Sequence, residues 1–285
     1  MKLSLSAVVG SFLVFCTACE KELVVELPPY TPRLVVDGWI EQGKYPTVIL
    51  TRNAGYFDPV DSSAIRELVV TRAKVSISDG EREEVLTLRR RDEYFPNFLY
   101  QGTEIRGEVG KTYRLTVESE GKEYTATTTI PAPVSLDSVW YEPLPSSDTL
   151  GHVWATLTDP GQQENYYRLF TQRIGKDETF VPVYLSAISD QFFAGETLSF
   201  SVLRGAENLS NITDDLYFRE GDTVRVKMCA IDRAHYDFWR TLERELYATG
   251  NPFASSGNEV ISNIEGGALG VWGGYGAAYH VLQAQ

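Results

Sequence analysis

Beyond residue 33, only one stretch of this sequence is patterned as a long helix, and almost everything else alternates like β-strands. Asp232 can accept from the unpaired N–H groups of a first helical turn, and Tyr236, Trp239, Leu242 and Leu246 then recur at helical spacing. Gly250 and Pro252 end the pattern, which predicts a helix over about 233–249 docked through that apolar stripe. A strand from Asp222 to Ile231 precedes the helix, and a glycine-rich tail from Asn263 to Gly276 follows it. One helix among many strands predicts a mainly β protein whose cores lie between antiparallel sheets.

From Arg33 to about Thr129, short runs are divided by turns. They are Leu34 to Ile40, Thr47 to Thr51, Lys74 to Ser78 before Asp79-Gly80, and Glu84 to Leu88. Thr112 to Glu118 alternates cleanly and returns through Glu120-Gly121 as Glu123 to Thr129. This spacing, with no helical pattern, predicts an immunoglobulin-like β-sandwich over 33–130. Ile130-Pro131-Ala132-Pro133 marks a boundary, and 134–285 reads as a second antiparallel β domain that carries the helix.

The N-terminus predicts an address. Met1-Lys2 is followed by an uncharged, largely apolar run from Leu3 to Phe15, the pattern of a secretory leader. Cys16-Thr17-Ala18-Cys19 resembles the lipobox of bacterial lipoproteins, which implies a signal peptide over 1–18 and acylation of the Cys19 thiol. Cys16 departs from the usual Leu at the lipobox start and follows Phe15, so Cys19 is the better acceptor. Residues 19–32 then form a tether, stiffened by Pro28, Pro29 and Pro32. Glu20-Lys21-Glu22 reads either as a surface-export signal or as a solvated spacer. With Cys19 a thioether, Cys229 has no disulfide partner and reads as a buried apolar residue of its strand.

The net charge of −13 sets the chain against nucleic-acid binding, which needs clustered cations. Its one basic tract, Arg89-Arg90-Arg91, reads as a solvated strand end. Histidine is scarce: His152, His235 and His280 only, with no zinc-type spacing around them. Asp232, His235 and Asp237 come nearest to a cluster, and they read as a cap with an exposed first turn. Ser255-Ser256-Gly257 lacks the elbow of a nucleophilic serine, and Asp214-Asp215 would point to opposite faces of a strand. The tail has no phosphate-loop signature, so its glycines beside Trp272, Tyr275 and Tyr279 predict a final strand or turn lying close to the core. No catalytic, metal-ligating or cofactor-binding residue is assigned, and no cofactor is expected.

Two aromatic loops are candidates for recognition. One holds Tyr56 and Phe57; the other holds Tyr94, Phe95, Phe98 and Tyr100 around Pro96. Rings beside turn residues provide contact area at low ordering cost. The alternative is that Phe98 and Tyr100 begin a strand and fill the sandwich.

Gly221-Asp222, the helix with Tyr236 and Trp239, Gly250-Asn251-Pro252-Phe253 and Asn263-Ile264 with Gly266 to Gly270 form one pattern. Together with Leu34 to Gly38 and Asn165-Tyr166-Tyr167-Arg168, it resembles the domain-of-unknown-function 4249 family of Bacteroidota outer-membrane lipoproteins, often encoded beside TonB-dependent receptors. The resemblance implies an outer-membrane address through Cys19 and a receptor as partner, and it carries over no catalytic residue. The expected role is a non-enzymatic accessory that captures or gates a nutrient. The rivals are an envelope hydrolase with its site in the C-terminal domain and a structural or adhesive surface protein.

Overall fold

The computed structural model describes residues 31–55, 61–147, 149–205, 216–248 and 259–285. Alternation accounts for most of the strands. In the first half they are β1 (Leu34–Glu41), β2 (Thr47–Arg52), β3 (Lys74–Ser78), β4 (Glu83–Val85), β5 (Thr87–Arg90), β6 (Phe98–Gln101), β7 (Thr112–Ser119) and β8 (Lys122–Thr129). Along β7, Tyr113, Leu115 and Val117 are buried while Thr112, Arg114 and Glu118 face water. The second half adds β9 (Ser138–Pro143), β10 (Leu150–Thr158), β11 (Tyr166–Arg173), β12 (Val181–Ser189), β13 (Thr197–Val202), β14 (Phe218–Arg219), β15 (Thr223–Ile231) and β16 (Leu269–Gln283). The long helix, α2, spans Arg233–Ala248.

A short helix, α1 (Ser62–Leu68), lies in the half that was expected to be helix-free. Asp61 caps it, accepting from the backbone of Ser63 and Ala64 at 2.8 Å. Two turns are too few to display an apolar period, so the pattern alone could not reveal it.

Eight strands form one sheet in the order β12-β11-β15-β16-β1-β2-β6-β5. Residues 33–130 and 134–285 share this sheet, because the last strand of the chain joins its first. β16 is fifteen residues long. Its N-terminal part pairs parallel with β1, Val35 opposite Leu269 through Glu41 opposite Tyr275. Its C-terminal part pairs antiparallel with β15. Gly270 permits the start of that run: its φ is +108°, and any side chain there would strike the Val36 carbonyl.

One face of the long sheet is covered by two smaller sheets, giving two sandwich cores. Against the sheet β4-β3-β7-β8 it buries Val36, Ile40, Leu50 and Trp272 with Val75, Ile77 and Leu115. Against the sheet of β13, β10, β14 and β9 it buries Leu169, Val226 and Met228 with Val153, Leu157 and Val202. The opposite face carries α2.

The helix begins as expected, with Asp232 accepting from the His235 backbone at 2.8 Å. Its buried side differs from the expected stripe. His235, Phe238, Thr241 and Glu243 are buried, Tyr236, Trp239 and Leu242 are half-buried, and Leu246 is 46% exposed. The reason is the surface beneath: that face of the sheet presents charged and aromatic side chains, so the helix turns polar partners toward it.

Candidate functional site

The face under α2 gathers groups from five elements. Odd-numbered residues of β1 and β16 point to it with Lys227 and Cys229 of β15 and Arg168 of β11, as the registers require. The Arg168 guanidinium lies 3.3 Å from the centre of the Trp239 ring and 4.7 Å from that of Phe170. It donates to the Tyr275 hydroxyl at 2.7 Å and to Ser186 Oγ at 3.1 Å. Ser186 in turn donates its backbone N–H, at 3.1 Å, and its Oγ–H, at 2.5 Å, to Glu243 of the helix. A buried arginine and a buried glutamate are thus joined through one serine.

A second ion pair lies farther along the same face. Lys227 Nζ approaches Glu41 Oε2 at 3.4 Å and sits 4.3 Å from the Phe170 ring centre. The other Glu41 oxygen accepts from Lys44 at 2.7 Å and from the Tyr279 hydroxyl. Burial alone would raise the Glu41 carboxyl, but Lys227, Lys44 and Tyr279 outweigh it and hold it below the usual carboxylate range. Asp37 shows the opposite balance: burial raises it, and the Arg168 charge offsets only part. Burial also pushes the Cys229 thiol up to about 12, which removes it as a nucleophile at neutral pH.

His235 was expected on an exposed first turn and is instead sealed, with 1% of its surface exposed. Asp232 turns its carboxylate to the helix N-terminus and to Thr128, while the imidazole packs on Gly273 and on the Tyr275 ring at 4.8 Å. Burial, then the Arg168 charge, hold this imidazole well below its ordinary range and keep it neutral. Asp237 belongs to neither; it pairs with Arg240 and Arg233. Chemically the site is an interior clamp of cations stacked on rings and carboxylates held in hydrogen bonds. The sequence signal that could have revealed it is Arg168, Lys227 and Glu41 at inward positions of strongly apolar strands.

The aromatic loop before β6 lies at the rim of the same face. Tyr94 packs on Trp39 of β1, ring centres 6.1 Å apart. Phe95 beside it is 80% exposed, and Phe98 is at the margin of exposure. Tyr100 is a core residue and cannot serve as a loop contact: it is buried, and its hydroxyl bridges the backbone of Val70 and Ala73. The reading of a strand that fills the sandwich holds for that residue. Tyr56, Phe57 and Cys19 lie outside the described residues, as do Lys21-Glu22, Asp214-Asp215, Gly250 to Phe253 and Ser255 to Gly257.

The two remaining histidines each meet a serine. Ser201 Oγ lies 3.1 Å from His152 Nδ1, and Ser135 Oγ lies 3.1 Å from His280 Nε2.

The profile of a family described as "Domain of unknown function (DUF4249)" matches residues 20–279. No curated protein matches the chain. Among solved structures, a crystal structure of the selenomethionine-substituted chicken interferon gamma receptor alpha chain matches with 8% identity, over 71% of this chain and 90% of that one. Its TM-score is 0.19, a value that supports no inference about fold or function.

Proposed function

The chain belongs to the DUF4249 family, and from that premise we propose that it is a lipid-anchored envelope protein that binds rather than reacts. It acts as an accessory to a TonB-dependent outer-membrane receptor in a bacterium of the Bacteroidota and helps capture or gate a nutrient. The observation that carries the binding role is the Phe95 ring, 80% exposed on a loop braced by Tyr94 against Trp39. A large ring with only two side-chain torsions offers much apolar area for little lost freedom, which suits it to anchor an interface. The interior clamp favours binding over reaction, since Arg168, Lys227, Glu41 and Glu243 are engaged with one another or with neighbouring rings and hydroxyls. Cys19 supplies the anchor, each buried CH₂ of its acyl chains adding about 0.8 kcal/mol.

Co-purification from cross-linked envelopes tests this reading. The wild-type protein should retrieve a TonB-dependent receptor, Phe95→Ala should lose it without a change in melting temperature, and Cys19→Ala should leave the membrane fraction. Equal retrieval by Phe95→Ala would remove the loop from the account.

The second reading is an envelope hydrolase, favoured by the Ser201–His152 pair in the C-terminal half. A serine beside an imidazole is the first requirement of nucleophilic catalysis. Turnover of a simple ester that is abolished in Ser201→Ala would support this reading, and turnover unaffected by that change would reject it.

A further inference from the structure

Between the two sheets of the second sandwich lies a cavity of about 210 Å³. Protein interiors pack as densely as organic crystals, so a void of this size inside a β core is not ordinary slack. An engineered apolar cavity of about 150 Å³ stays dry and admits benzene. Here the walls include Leu157, Leu169, Val183, Val202 and Met228, all buried. Three lining residues carry polar side-chain atoms, and two of them engage those atoms with neighbours: Tyr167 donates to Asp159, and Ser201 meets His152. The Tyr184 ring packs at a tilt against Tyr247 of α2, ring centres 4.4 Å apart. The lining therefore offers a ligand mainly apolar contact.

The way in is where two sheet edges meet. β12 ends the eight-stranded sheet and β13 ends the smaller one. The lining residues that stay exposed stand one on each edge strand, Leu185 at 50% and Leu198 at 38%. β12 is bent at this point: Ala187 pairs with Arg168 but Pro182 pairs with Phe170, so residues 183–186 stand opposite Leu169 alone. Within that bulge Leu185 takes φ +54°, a left-handed conformation that leucine rarely adopts. Such strain persists only where the surroundings enforce it. The helix does so, through Glu243 on Ser186 and through the Tyr247 phenol on the Leu185 backbone.

We infer that this cavity is a binding site for a small uncharged hydrocarbon-like molecule, about the size of a substituted benzene ring, that enters between β12 and β13. The inference goes beyond the receptor association proposed above and stands on a different observation. The test uses the purified full-length protein, irradiated with an uncharged diazirine derivative of toluene and then mapped by peptide mass spectrometry. Label should concentrate on residues 181–189 and 197–203. It should fall at least about tenfold with excess propylbenzene, and likewise in Leu198→Asp, which places a charge at the mouth. Label on those strands that is unchanged by propylbenzene, or label found only elsewhere, would overturn the inference. The competitor arm needs no variant, so a misfolded Leu198→Asp protein leaves the test intact. Failure here would also leave receptor co-purification untouched, which separates the two proposals.

Discussion

The His235 ring of α2 occupies the space that a side chain at Gly273 of β16 would fill. Helix and sheet meet there at backbone distance, and the contact exists because residue 273 has no Cβ. Gly273→Ala should therefore destabilise the protein by about 1–3 kcal/mol, the usual cost of overpacking a well-filled interior. In the Gly273→Ala/His235→Ala double variant part of that cost should vanish, giving a coupling of at least about 0.5 kcal/mol. Urea denaturation of the four proteins measures both quantities; strictly additive losses would mean that the two residues do not compete for this space.

Glu243 should matter more than its place among exposed helical charges suggests. Glu243→Ala leaves the buried Ser186 N–H and hydroxyl without their acceptor, a loss of about 1–3 kcal/mol. Arg244→Ala, its exposed neighbour, should stay within about 0.5 kcal/mol. On the apolar side Phe238→Ala should cost about 3–5 kcal/mol, far more than Leu246→Ala. Thermal denaturation that ranked Leu246 above Phe238 would reverse the orientation of the helix.

Much of this architecture was legible in the sequence, and the helix marks where legibility ended. Sequence patterning located β1, β3, β7, β8 and β15 to within a few residues, because a half-buried strand must write its face at every second position. The Asp232 cap was equally plain, since it depends on neighbours in sequence. The pairing of β1 with β16 joins residues over two hundred positions apart, and no local pattern encodes it. The same distance hides the clamp: Arg168, Lys227 and Glu41 stand out as charges in apolar strands, but only the register brings them to one face of the sheet. Leu246 was misread because helical spacing identifies a stripe but not which face of the sheet the stripe will meet.

Acid should weaken the fold through His235. Burial and the Arg168 charge hold it well below its ordinary 6.5, so below that pH the unfolded chain takes up a proton that the native state refuses. Stability should then fall as pH falls, with a slope that approaches about 1.4 kcal/mol per pH unit for one proton. His280 is lowered too, by burial, and adds to the slope, while Asp37 and Glu41 titrate from the carboxylate range with opposite signs. Comparison with His235→Asn isolates the imidazole: its stability profile below pH 6.5 should be the flatter of the two. Parallel profiles would place the proton elsewhere.

Cys229 should be inert while the protein is folded. It is fully buried on β15, and burial pushes its thiol up to about 12. Iodoacetamide should leave it unmodified in native buffer and alkylate it once urea unfolds the chain, as intact mass will record. Alkylation in native buffer would indicate that α2 leaves the sheet readily.

Site-specific photocross-linking in intact cells asks whether the protein meets a TonB-dependent receptor through the Phe95 loop, as proposed above. A photoreactive residue replaces Phe95 in one version and Phe192, another highly exposed ring, in the control. One dominant adduct from position 95 that contains a TonB-dependent receptor is expected, with little or none from position 192. No receptor adduct from position 95, or the same adducts from both positions, would contradict it.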